Sequence, residues 1–150
     1  MKFADYLREK KEIFAFSTLY GALFVNYIDL VMWLRTEEPT PAYHVWLIVL
    51  YFVPYAIPYL KGTLTFWEFF FQGLYVSLLN DLIWGIWKHV FFGLDLGWYY
   101  SRWLLPLSDT IGKYDYGIFR LEGKSWMMCA SIYARIAALV AILKYRLLRQ

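Results

Sequence analysis

Residues Leu64 to Phe92 of this 150-residue chain form an almost unbroken apolar run that nevertheless holds Glu68, Gln72, Asn80 and Asp81. About 20 apolar residues suffice for a helix to cross the roughly 30 Å of hydrocarbon in a bilayer, and this run is longer than that. No water satisfies a polar group at that depth, so each of the four needs a neighbouring helix, an internal cavity or a second subunit. A solitary lipid-facing helix is excluded, and a bundle is required.

Three further runs have comparable character. The four segments are 13–34, 44–60, 64–92 and 126–143, in a chain that is 61% hydrophobic and only 18% charged. That balance is far from a soluble domain's. The expected fold is therefore all-α, a polytopic integral membrane protein of four transmembrane helices in one domain, with a loop at 93–125. The second segment contains Pro54 and Pro58 in VPYAIPYLKG, which predicts a kinked helix with carbonyls freed for neighbours. Only Lys61, Gly62 and Thr63 separate segments two and three, so those helices must form a tight antiparallel pair.

Within the loop, Leu96–Leu107 (LGWYYSRWLLPL) predicts an interfacial helix ended by Pro106, with a dip into the membrane as the alternative, because Trp98, Tyr99, Tyr100 and Trp103 prefer the headgroup level; these four and Arg102 are expected to contact lipid or partners. Residues 108–125, punctuated by Gly112, Gly117 and Gly123, predict a turn-rich lobe or short hairpin outside the membrane.

Basic residues set orientation. Lys2, Arg8, Lys10 and Lys11 precede the first segment, and Lys144, Arg146 and Arg149 follow the last, so both termini are expected on the cytoplasmic or matrix side of a prokaryotic plasma membrane or mitochondrial inner membrane. The first loop, Arg35-Thr36-Glu37-Glu38-Pro39, is acidic on balance, as an outer loop can be. The N-terminus mixes three acids with four bases and has no small-residue cleavage site, so the first segment is expected to be retained.

Depth and azimuth then group the polar residues. Asn26, Asp29 and Trp33 share one face of the first helix at i, i+3, i+7; Ser77, Asp81, Trp84 and Lys88 form a stripe on the third, beside Asn80; Ser131 and Arg135 stand at i, i+4 on the fourth. One arginine is expected to confront two aspartates. Such a layer serves either as a charge-compensated site for a cation, proton or polar ligand head, or as interhelical glue. Glu68 and Gln72 fall at the opposite end of the third helix and are expected to contact Lys61. His44, His89 and Asp95 lie near helix ends and make a weak candidate for a metal or proton site, in a spacing that matches no metal motif.

Other chemistries are poorly served. The single Cys129 gives no disulfide or CxxC pair, no GxSxG context surrounds a serine, and no phosphate-cradling glycine loop or dinucleotide fingerprint is present, so no cofactor is implied. The net charge of +3 is dispersed, which leaves a nucleic acid no concentrated basic surface. The acid late in the first helix (YIDL), the twin-proline helix and the following LKG turn resemble the small four-helix sterol-binding membrane family that includes sterol isomerases and the sigma-2 receptor. That resemblance implies a lipid-like ligand. It departs from the family in lacking a glutamate within the second helix.

Eight Trp, fourteen Tyr and twelve Phe exceed what a minimal four-helix bundle buries by itself, so part of this surface is expected to meet partner subunits as well as lipid. The expected function is that of a non-catalytic subunit of a larger membrane complex, for example an energy-transducing assembly. The alternatives are a small ion- or proton-coupled transporter, channel or lipid-ligand-binding protein, and a membrane-embedded lipid enzyme using Asp81.

Overall fold

The structure is a computed structural model that describes residues 2–34 and 41–148, with side chains placed from Lys2 to Met32 and throughout the second stretch. The acidic loop at 35–39, the side chain of Trp33 and Arg149 lie outside the described residues. The chain is 76% helical, with four helices long and apolar enough to cross a membrane.

The first of these is built in pieces. A short α1 (Phe3–Glu9) is followed by α2 (Lys11–Leu19), a π-helical turn at Tyr20–Val25, and α3 (Asn26–Leu34). The wider π turn loosens the local ladder of carbonyls, and side chains complete it. Asn26 Nδ2 donates to the Gly21 carbonyl at 2.8 Å, and Trp87 Nε1 donates to that of Ala22 at 2.7 Å.

The second helix, α4 (Tyr43–Leu60), runs unbroken through both prolines. Pro54 has no N–H for the Leu50 carbonyl four residues back, and the Tyr20 hydroxyl takes that place at 2.8 Å. The carbonyl freed in an apolar helix is thus what ties the first helix to the second. Tyr43, Leu47, Tyr51 and Tyr55 recur every four residues and are all buried, forming the stripe that α4 packs inward.

The longest helix, α5 (Phe66–Phe92), starts with a capping box: Thr65 Oγ1 accepts from the Glu68 amide, and the Glu68 carboxylate accepts from the Thr65 amide. It ends at Gly93, whose φ of 69° lies in the left-handed region that glycine adopts without strain. Helices α2, α3, α4, α6 and α7 all pack on it. Close approach is bought with missing side chains: a Cβ at Gly85 would stand 2.3 Å from the Tyr99 ring.

The loop holds a hairpin, one of the two forms expected for residues 108–125. After α6 (Leu96–Leu104) come two antiparallel strands, β1 (Thr110–Asp115) and β2 (Arg120–Lys124), paired from Asp115 opposite Arg120 to Thr110 opposite Lys124. The alternating polar and glycine positions suit a pleated ribbon better than a helix, and the Asp115 carboxylate closes its turn by accepting from the Gly117 amide at 2.8 Å and from Arg120 at 3.1 Å. The last long helix, α7 (Ser125–Ile142), ends in a π turn at Leu143–Leu147. Ser125 is fully buried and its hydroxyl lies within hydrogen-bond distance of two carbonyls, Arg102 at 2.6 Å and Leu105 at 3.0 Å, pinning α7 to the end of α6.

Two apolar cores flank α5. One joins Tyr6, Phe71, Leu78, Ile132, Leu139 and Leu147 along α7; the other joins Val25, Leu47, Tyr55, Leu64 and Val76 along α4.

Candidate functional site: a cleft between two helices floored by an ion pair

Because α4 and α7 pack on α5 from different sides, they leave a cleft of about 760 Å³ between them. Its walls are Tyr43, His44, Leu47, Ile48, Tyr51 and Phe52 from α4, with Met127, Met128, Ser131 and Arg135 from α7. Phe70, Leu74, Ser77, Asp81, Trp84 and Lys88 of α5 form its floor. At one end α6 and the hairpin close over it with Trp98, Tyr99, Trp103, Ile111, Tyr114, Tyr116 and Leu121. The stripe expected on the third helix, Ser77, Asp81, Trp84 and Lys88, therefore faces this cleft.

The polar residues fall into two separate groups. Arg135 forms an ion pair with Asp81, donates to Ser77 Oγ at 3.3 Å and to the Ser131 carbonyl at 3.2 Å. The Asp81 and Arg135 side chains retain 20% and 15% exposure, so the pair opens onto the cleft. Asp29 does not share this arginine, contrary to expectation. It is held instead by Asn80, whose Nδ2 donates to its carboxylate at 2.7 Å and lies 3.2 Å from the Tyr51 hydroxyl. Among the described residues Asp29 has no ion pair, although its side chain borders the cleft.

The inner-end contact also differs. Lys61 is exposed, and the ammonium that meets Glu68 is that of Lys10, at 2.9 Å. Glu68 is fixed by its capping box toward the N-terminal segment, which a lysine on the α4–α5 turn does not reach. Gln72 instead accepts from Ser17 at 2.7 Å, and Ser17 accepts from Tyr55 at 2.6 Å.

His44, His89 and Asp95 are employed separately. His44 Nδ1 accepts from the Asp115 amide at 3.0 Å, and its ring packs against Tyr114 and Tyr116; an accepting Nδ1 puts the neutral ring's proton on Nε2. His89 Nδ1 lies 2.7 Å from the Leu94 carbonyl, while Asp95 caps α6 by accepting from the Trp98 amide. Among the described residues no three His, Cys, Asp or Glu side chains are grouped to hold a metal.

The aromatic set on α6 turns inward more than expected. Tyr99 is buried, stacks on Trp103 at 4.2 Å and on Trp84 at 5.7 Å, and donates its hydroxyl to the Asp81 carbonyl. Tyr100 donates to the Leu82 carbonyl at 2.7 Å. Arg102 pairs with Asp109 at 2.8 Å and lies over the Trp98 ring, leaving Trp98 the most exposed of the five. Outside the long helices, burial pushes the Tyr114 hydroxyl up to about 12, and the Gly117 amide and then Arg120 hold the Asp115 carboxyl below its usual range.

Chemically, the cleft presents an apolar volume with a charge-neutral, hydrogen-bonding patch in its floor. Ser77 donates to the Leu74 carbonyl at 2.8 Å and faces a guanidinium, so no base activates it as a nucleophile. Tyr51, Lys10 and the hairpin aromatics were missed as site residues; the four-residue tyrosine spacing on α4 and the Thr65-x-x-Glu68 box were the signals available for the first two. Of the residues behind the sterol-binding resemblance, Asp29 alone reaches the cleft. No family model, curated protein or solved structure matches the chain.

Proposed function

We propose that this chain is a membrane-embedded binding protein for an amphiphilic, lipid-like molecule. The observation that carries this reading is the 760 Å³ cleft, whose apolar walls surround an exposed-edge ion pair. Its size falls within the range of small-molecule sites, and such sites combine mostly apolar lining with a few polar groups that set orientation. The ligand's polar end would hydrogen-bond with Arg135, Asp81 and Ser77, and its apolar part would lie along Phe52, Phe70 and Leu74. In a bilayer crossed by the four long helices, the gap between α4 and α7 would open toward lipid and provide lateral entry.

The test is to purify the chain in nanodiscs, extract bound lipids and identify them by mass spectrometry, beside Ser131→Trp and Leu74→Trp variants that fill the cleft. A specific amphiphile enriched over the bulk lipid and lost from both folded variants is expected. Identical lipid profiles in all three would refute the proposal.

An accessory subunit of a larger complex is the second reading. It is favoured by the outward faces of α4 and α7, where Trp46, Val53, Ile57, Trp126, Tyr133 and Val140 are each more than 50% exposed. The mass and composition of the particle extracted from its native membrane test this directly: reproducible partner chains support it, and a monomer or small homo-oligomer refutes it.

A further inference from the structure

The Asp29 side of the polar layer has acceptors in excess. Asn80 is fully buried; its Nδ2 is directed to Asp29 and Tyr51, and its Oδ1 has no hydrogen-bond partner. Asn26 is also fully buried, spends its Nδ2 on the Gly21 carbonyl, and likewise leaves Oδ1 without a partner. Asn26 and Asp29 stand at i, i+3, which puts them about 5–6 Å apart at Cβ on one helix face. A 6%-exposed carboxylate without an ion pair among the described residues is thus bonded to one asparagine whose amide oxygen is orphaned and shares a helix face with the other.

Each orphaned acceptor carries a desolvation penalty, and so does the uncompensated charge. A proton on Asp29 would neutralise the charge but can be donated to only one acceptor. Bridging water would satisfy acceptors and leave the charge. A small hard cation does both as a single ligand, where a proton needs a water beside it, because carboxylate and amide oxygens are its preferred ligands. The charge count selects a monovalent ion: Asp29 offers one negative charge, while that of Asp81 is matched by Arg135.

We propose that Asp29, Asn80 and Asn26 form a binding site for one small monovalent cation of the Na+ class. Tyr51 lies beside it through Asn80, and the cleft gives the ion its way in, since Asp29 borders that volume. The site does not depend on an amphiphile occupying the cleft.

The experiment uses the purified full-length chain in micelles with Na+ exchanged for choline at constant chloride. Two readouts are taken: thermal unfolding followed by tryptophan fluorescence, and equilibrium binding of radioactive 22Na+. Saturable binding at one site per chain is expected, and above its Kd each tenfold rise in Na+ should raise the folding equilibrium constant about tenfold. Asp29→Asn should abolish both effects, Asn80→Leu should weaken binding at least about tenfold, and the surface variant Lys144→Gln should change neither. Absence of saturable 22Na+ binding to the unmodified chain overturns the proposal, as does equal Na+ stabilisation of Asp29→Asn. Should Asp29→Asn fail to fold, the isotope count on the unmodified chain decides by itself.

Discussion

Replacing Arg135 by Leu removes the cation that faces Asp81 and leaves the carboxylate in a helix-lined site. Removing one partner of a fully buried ion pair costs about 3–5 kcal/mol, because the remaining charge is uncompensated. Here both side chains keep a fifth or less of their surface open to the cleft, so solvent recovers part of that cost. The expected loss is about 2–3 kcal/mol, with the donor to Ser77 Oγ included. Asp81→Leu strands the guanidinium and should cost a similar amount. The double variant, Asp81→Leu with Arg135→Leu, strands nothing and should fall within about 1 kcal/mol of the parent, since the interhelical pair itself contributes little once desolvation is counted. Reversible unfolding in mixed micelles, arranged as a double-mutant cycle, measures the coupling. A double variant that loses the sum of the two single losses would refute the assignment of this pair as a mutually compensating unit.

Three further outcomes follow from individual contacts. Gly85→Ala should cost about 1–3 kcal/mol, because its Cβ meets a Tyr99 ring held by Trp84, Trp103 and its own hydroxyl bond, whereas Gly112→Ala, with open space around it, should change the melting point little. Tyr20→Phe should cost about 1 kcal/mol by orphaning the Leu50 carbonyl, and in a Pro54→Ala background that cost should nearly vanish because residue 54 then donates to the same carbonyl; equal losses in both backgrounds would exclude the explanation. Asp115, whose folded value lies below its ordinary 3.8, stabilises the hairpin at pH above that value, and this contribution disappears as pH falls through the depressed folded value. The protection factors of the β1–β2 amides, taken against the intrinsic exchange rate at each pH, should therefore fall below about pH 4, and Asp115→Asn should remove that acid dependence.

Much of the candidate site was legible as pattern. The stripe Ser77, Asp81, Trp84, Lys88 and the pair Ser131, Arg135 follow from helical periodicity alone, and the fold turns both toward one cleft. Periodicity could not assign partners: Asp29 and Asp81 were equally suited to Arg135, and the division arises because Asn80, next to Asp81 on α5, takes Asp29 while Asp81 takes the arginine. Lys61 was nearer than Lys10 to Glu68 in sequence, yet the capping box aims that carboxylate at the N-terminal segment. The α6 aromatics read as interfacial by residue type; Gly85, an absence of side chain on another helix, is what lets Tyr99 bury instead.

What the sequence by itself determined is therefore one-dimensional: four long apolar helices, since run length and hydropathy are local properties, and the face on which each polar group lies, since backbone geometry repeats every turn. The hairpin within the loop was only partly determined, as its strands depend on pairing with each other and on the contact between Asp115 and His44. The tertiary structure alone decided which charges meet, which acceptors are left over beside Asp29, and that α4 and α7 stand far enough apart for a cleft. Those outcomes depend on how helices pack around α5, and packing is set by side chains distant in the chain whose volumes and hydrogen bonds must be satisfied together.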